Sequence, residues 1–112
     1  MGIYGQDSPK PLIKYMLQSV NEREKDLDAV VMNGDFMAHT LTDNKTIEEG
    51  WDILKSIMSS DLQMLRENLP NKTLLPTIGN NDVVVHNNVP CNDSFAEIYY
   101  QGMFDIWFPK EH

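Results

Sequence analysis

Two short apolar stretches, each ended at once by a glycine-led polar turn, set the narrowest limits on what this chain can become. Leu27 to Met32 is β-branched and almost uniformly apolar, and Asn33-Gly34-Asp35 ends it abruptly. Such a run is expected to form a strand buried on both faces of a parallel sheet. Thr73 to Ile78 reads as a second strand, with Pro76 arguing against a central position, and Gly79-Asn80-Asn81-Asp82 forms the turn at its carboxyl end. The stretch between them has helical periodicity. It opens with an N-cap candidate at Asn44 or Thr46 ahead of Glu48 and Glu49, and runs to about Asn68 through Trp51, Ile53, Leu54, Ile57, Met58, Leu62 and Leu65. Pro70 closes it.

Helices flank this unit. Asp7-Ser8-Pro9 places a side-chain acceptor ahead of a proline, and Leu12, Ile13, Tyr15, Met16, Leu17 and Val20 recur at helical spacing, so a helix is expected over roughly Pro9 to Glu24. Val83 to Pro90 reads as a loop or short extended piece. Phe95, Ile98, Tyr99, Met103, Phe104 and Trp107 then give a last helix with a broad aromatic face, ended by Pro109. The order helix, strand, helix, strand, helix indicates an α/β layer with parallel strands and right-handed crossover helices, in which ligands gather at the carboxyl ends of strands. Both polar turns lie there. A two-strand parallel sheet has two unpaired edges and little core, so the segment reads as the middle of a larger domain with neighbouring strands outside it.

Composition narrows the function classes. The chain has 112 residues, enough for one modest domain, and its 9 Lys and Arg against 17 Asp and Glu leave a net charge of −8. That balance repels phosphate backbones and anionic lipid surfaces, so a nucleic-acid polymer is not an expected partner. A hydrophobic fraction of 41% excludes a disordered or collagen-like chain. No apolar run approaches the ~20 residues of a transmembrane helix, and the first residues carry no signal-peptide pattern. Cys91 is the only cysteine, which fits a reducing compartment about as well as a piece of something larger. Three glycosylation sequons, at Asn44, Asn71 and Asn92, point instead to an endomembrane or secreted setting.

The turns carry the chemistry. Gly34-Asp35 and Gly79-Asn80 place a carboxylate and an amide above adjacent strand ends, an arrangement suited to hard oxygen ligation. A carboxylate can bridge two divalent cations about 3.5–4 Å apart, the separation that suits in-line phosphoryl displacement. An Asn carbonyl ligates one cation without adding negative charge. Asp35 is the candidate bridge and Asn80 the candidate second ligand. The plain alternative is that both are turn residues bonded to nearby N–H groups, with Asn81 and Asp82 able to supply the second turn.

Gly34-Asp35 after one strand and Gly79-Asn80-x-Asp82 after the next resemble the second and third motifs of the calcineurin-like metallophosphoesterases. More narrowly, Tyr4-Gly5-Gln6-Asp7-Ser8-Pro9 leading into Leu12-Ile13, Ala38-His39 after Gly34-Asp35, and Trp107-Phe108-Pro109 look like the acid sphingomyelinase-like phosphodiesterases. The resemblance spans nearly the whole chain. It implies that residues 1–112 form the central part of a single metallophosphoesterase sandwich. It also implies two divalent metal ions, usually zinc, with manganese or iron as other occupants; Asp35 would bridge them and Asn80 would bind the second. Hydroxide activated by the metals would attack phosphorus. His39 occupies the position of a histidine that lies near the substrate phosphate, where it stabilises charge or protonates the leaving alkoxide. The implied substrate is a small phosphodiester, a lipid head group or a nucleotide, and the implied setting is secreted or lysosomal.

The chain also departs from the family pattern. The third motif normally reads Gly-Asn-His, and its histidine helps protonate the leaving group. Asn81 stands there instead, and an amide cannot give up a proton near neutral pH. Gln6 replaces a cysteine common among relatives. The upstream Asp-x-His and the downstream His and Gly-His-x-His ligands are absent, so the segment by itself is expected to bind metal poorly and catalyse nothing. A binding or regulatory module that keeps the fold without catalysis is the alternative, and a plain α/β domain with coincidental turns a third. Trp51, Phe95, Tyr99, Tyr100, Phe104 and Trp107, with the seven methionines, read as helical core packing before lipid or partner recognition. His86 and His112 have no motif around them and read as surface residues. Cys91 is either a free thiol or the partner of a cysteine elsewhere.

Overall fold

The structure is a computed structural model and describes residues 7–110. Tyr4, Gly5, Gln6 and His112 lie outside the described residues. The elements are α1 (Lys10–Arg23), β1 (Ala29–Met32), α2 (Ile47–Asn68), β2 (Thr73–Pro76) and α3 (Ala96–Trp107), the expected order with ends shifted by a few residues. The described residues make a small α/β unit of three helices and two parallel strands.

Local chemistry sets the helix ends. For α2 the cap is Thr46 rather than Asn44. Its hydroxyl accepts from the Glu49 N–H at 3.2 Å, while the Glu49 carboxylate accepts from the Thr46 N–H at 2.9 Å, a reciprocal capping box. At its far end Leu69 N–H bonds Leu65 O, and Pro70 prevents continuation. α3 begins where Asp93 Oδ1 accepts from the N–H groups of Phe95 and Ala96, at 3.0 and 2.9 Å. α1 departs from expectation. Pro9 is its N-cap with no side-chain hydrogen bond, and the Asp7 carboxylate is engaged elsewhere.

β1 and β2 pair in parallel with Ala29 opposite Thr73 and Met32 opposite Pro76. Parallel pairing requires a crossover, and α2 supplies it. The missing N–H of Pro76 falls at the last pair, after which Thr77 N–H bonds Met32 O at 2.9 Å. The expectation that Leu27 to Met32 is buried on both faces is not met. Val30, Met32 and Leu74 turn toward the core, whereas Val31 is 66% and Leu75 45% exposed. The described helices pack against one face of the sheet, so alternate side chains on the other face meet solvent.

The core centres on α2, which packs against α1 on one side and α3 on the other. Leu54 and Met58 are fully enclosed, and Trp51 meets Phe95 edge-on with ring centroids 5.5 Å apart. The aromatic set is core at Trp51, Tyr99 and Trp107, while Tyr100 and Phe104 stay exposed. Met37, Met58 and Met103 are buried, and Met16 is not. No helix among the described residues is long and apolar enough to cross a membrane. Asn44, Asn71, Asn92 and Cys91 are all exposed.

Candidate functional site

The turn after β1 has to pass hard against the turn after β2, and two left-handed residues allow it. Gly34 has φ 89° and Asp35 φ 58°. A Cβ at Gly34 would collide with the backbone of Gly79, so only glycine permits both the dihedral and the approach. Aspartate is among the few other residues that enter the left-handed region readily, at a cost of about 1 kcal/mol. The consecutive left-handed pair aims three successive backbone N–H groups, those of Asp35, Phe36 and Met37, at one point.

That point is the carboxylate of Asp82. Its Oδ2 accepts from Asp35 N–H at 2.7 Å and from Gly79 N–H at 2.9 Å. Its Oδ1 accepts from Phe36 N–H at 2.7 Å and Met37 N–H at 3.0 Å. The residue is fully buried, and the Tyr99 hydroxyl donates to its backbone carbonyl at 2.6 Å. Burial and the nearby Asp82 charge push the Tyr99 phenol well above its ordinary range, so it remains a donor. A buried carboxylate is tolerated because four donors replace its water. Asp82 therefore clamps the end of β1 to the end of β2. Sequence reasoning allowed it only the role of a turn residue.

The clamp leaves Asp35 and Asn80 exposed on adjoining turns. Asp35 Oδ1 accepts from the N–H of Asn81, the residue next to Asn80, at 2.9 Å. No described residue donates to its Oδ2. Asn80 donates weakly from Nδ2 to Asn81 Oδ1, at 3.5 Å, which leaves its own side-chain oxygen open. One carboxylate oxygen and one amide oxygen are thus available for a hard or borderline cation. Among the described residues no three His, Cys, Asp or Glu side chains gather closely enough to enclose an ion. The donor chemistry fits one side of a metal centre, with the rest of the coordination left to water or other chain. Asp35 also makes the turn bond that the plain reading expects.

His39 stands at the rim of the same turns. Its Nδ1 lies 3.2 Å from Asp7 Oδ1 and its Nε2 3.4 Å from Asn81 Nδ2. Asp7 and Asn81 together hold the ring although its side chain is 64% exposed. His86 comes close as well: the two imidazole centroids are 6.3 Å apart. Val83 and Val84 are buried, Asn87 N–H bonds Asn80 O at 3.2 Å, and Asn88 N–H closes a tight turn on Val85 O at 2.9 Å. The loop folds back on the second motif and carries His86 with it. His86 is exposed, as the sequence reading had it, but its neighbour was not foreseen. The only sequence signal was a histidine a few residues beyond the Gly-Asn-x-Asp turn.

An apolar cleft of about 370 Å³ between α1, α2 and β1 ends at Gly34 and Asp35. Asp61 lines it and is partly buried. Desolvation raises its pKa above the ordinary 3.8, Lys10 opposes that rise, and the Asp82 charge adds to it.

A protein of Dictyostelium discoideum named sphingomyelinase phosphodiesterase D is 29% identical to this chain over 108 residues, which is 96% of this chain and 23% of that protein. The chain thus spans under a quarter of the length of the relative it matches. No family model matches the chain, and no solved structure matches it. The chain is related in sequence to a phosphodiesterase.

Proposed function

We propose that this chain is the central, metal-holding part of a sphingomyelinase-like phosphodiester hydrolase with a calcineurin-like metallophosphoesterase fold. One observation carries the reading: the Asp82 clamp joins the two strand-end turns that carry Asp35 and Asn80, both exposed. Asp35 and Asn80 would hold a pair of divalent cations, of which zinc is the first choice and manganese or iron the others. When bound, the cations supply Lewis acidity toward a phosphoryl group and an activated water. Asp35 contributes the negative charge that holds cations, and Asn80 adds a neutral oxygen that keeps the site electrophilic. His39, oriented by Asp7 and Asn81, presents its ring at the rim, where it stabilises charge developing on a phosphodiester. The substrate is a small phosphodiester, a lipid head group or a nucleotide, and the acidic chain disfavours a nucleic-acid polymer. The family resemblance and the exposed sequons support a secreted or lysosomal setting.

The relative's printed name supports the phosphodiesterase reading, and the site residues support the metal-dependent form of it. Hydrolysis of bis(p-nitrophenyl) phosphate by the full-length protein in Zn²⁺ or Mn²⁺ tests it. Turnover that disappears in D35N and on chelation is expected; turnover that survives both the substitution and, in the wild type, chelation overturns it. A second reading, a binding module without catalysis, is favoured by Asn81, which holds His39 but cannot give up a proton. Metal binding lost in D35N, without turnover of any diester, would decide for that reading.

A further inference from the structure

The geometry points to His86 as the group that delivers a proton to the leaving alkoxide, an inference that rests on the hydrolase reading above. Asn81 lacks a transferable proton. His39 is engaged at both ring nitrogens, Nδ1 by Asp7 Oδ1 at 3.2 Å and Nε2 by the Asn81 amide at 3.4 Å. Either orientation of that amide occupies Nε2: its nitrogen donates to an imidazole, or its oxygen accepts from an imidazolium. His39 is thereby built to be held in place.

His86 differs in the respect that matters. It lies beside His39, with centroids 6.3 Å apart, and among the described residues the histidine ring hydrogen bonds are those of His39, none of them to the His86 ring. Its backbone is nevertheless well placed, because the adjacent Asn87 N–H bonds the carbonyl of Asn80 and the preceding Val83 and Val84 are buried. An imidazole on an anchored turn, with unengaged nitrogens and next to the two candidate ligand turns, is equipped to move a proton. In the step assigned to it, the oxygen of water forms a bond to phosphorus and the phosphorus–alkoxide bond breaks. The leaving oxygen takes the proton of the His86 imidazolium, and the proton lost by the attacking water returns through solvent to the imidazole. Water is the only co-reactant.

The test compares two esters on the full-length protein in Zn²⁺. Bis(p-nitrophenyl) phosphate releases a phenolate that needs little protonation, whereas a phosphocholine alkyl diester releases an alkoxide that needs it fully. In H86Q the ratio of alkyl to aryl turnover is expected to fall about 100-fold, the scale of general acid catalysis. In H39Q both turnovers fall together, and the thermal unfolding of both variants matches the wild type because both side chains are exposed. An H86Q ratio within about threefold of the wild type overturns the assignment. If the wild type hydrolyses neither ester, the hydrolase reading fails and this role fails with it. If D35N abolishes aryl turnover while the H86Q ratio stays unchanged, only the His86 role fails.

Discussion

Replacing Asp82 with asparagine keeps the shape of the side chain and removes its charge, which isolates what the clamp contributes. The carboxylate accepts four backbone N–H bonds at 2.7, 2.7, 2.9 and 3.0 Å in a fully buried position. The amide of D82N can accept two of these through its oxygen and turns its NH₂ against the other two donors. Bonds to a charged acceptor are each worth about 1.5–3 kcal/mol, so the two lost bonds alone destabilise the fold by about 3–6 kcal/mol. That is a large share of the ~5–15 kcal/mol available to a domain. The internal control is D35N. Asp35 is exposed and spends one oxygen on Asn81 N–H, a bond that an amide oxygen can keep, so its loss costs less than about 1 kcal/mol. Urea unfolding followed by circular dichroism at neutral pH measures both. Amide exchange at residues 35–37 and 79 localises the D82N effect to the clamp. A D82N protein within about 1 kcal/mol of the wild type, or no more affected than D35N, would refute the clamp as the element that holds the site together.

Two further substitutions probe the surroundings. G34A should destabilise by at least about 2 kcal/mol in the same unfolding assay, because the left-handed φ costs about 1–2 kcal/mol and the new methyl also meets the Gly79 backbone. D61N tests the raised carboxylate in the cleft. Its folded pKa lies above 3.8, so the native state holds this proton more tightly than the unfolded chain, and stability falls as pH rises through that window. The expected result is a higher melting temperature for D61N than for the wild type at pH 7, with the difference shrinking as pH falls toward 3.8 and gone below it.

The elements were legible where local chemistry decides them. Thr46 and Glu49 announce a capping box in sequence and form one in the structure, and Pro70 stops α2 as any proline there would. The two turns were legible for the same reason, since a glycine followed by Asp or Asn is a local conformational signal. Cover on a sheet face is different. An unbroken apolar run such as Ala29-Val30-Val31-Met32 states that a strand can be buried twice, and only the placement of the helices shows Val31 in solvent. The polar partners of the site were hidden by sequence distance. Asp7, an acceptor ahead of Pro9 in sequence, bonds His39 rather than capping α1, and Asp82 reaches back across the α2 crossover to three amides after β1. His86 meets His39 for the same reason: parallel pairing puts the ends of β1 and β2 together, and everything that follows each strand meets there.

The most direct test of the central claim is a Mn²⁺ titration of the ¹⁵N-labelled chain, read by paramagnetic broadening of its amide signals. If Asp35 and Asn80 are ligands, the amides of residues 34–36 and 79–82 broaden first, and D35N removes that selectivity while the remaining spectrum stays unchanged. Broadening spread over the acidic surface, or the same pattern in D35N, would contradict the account.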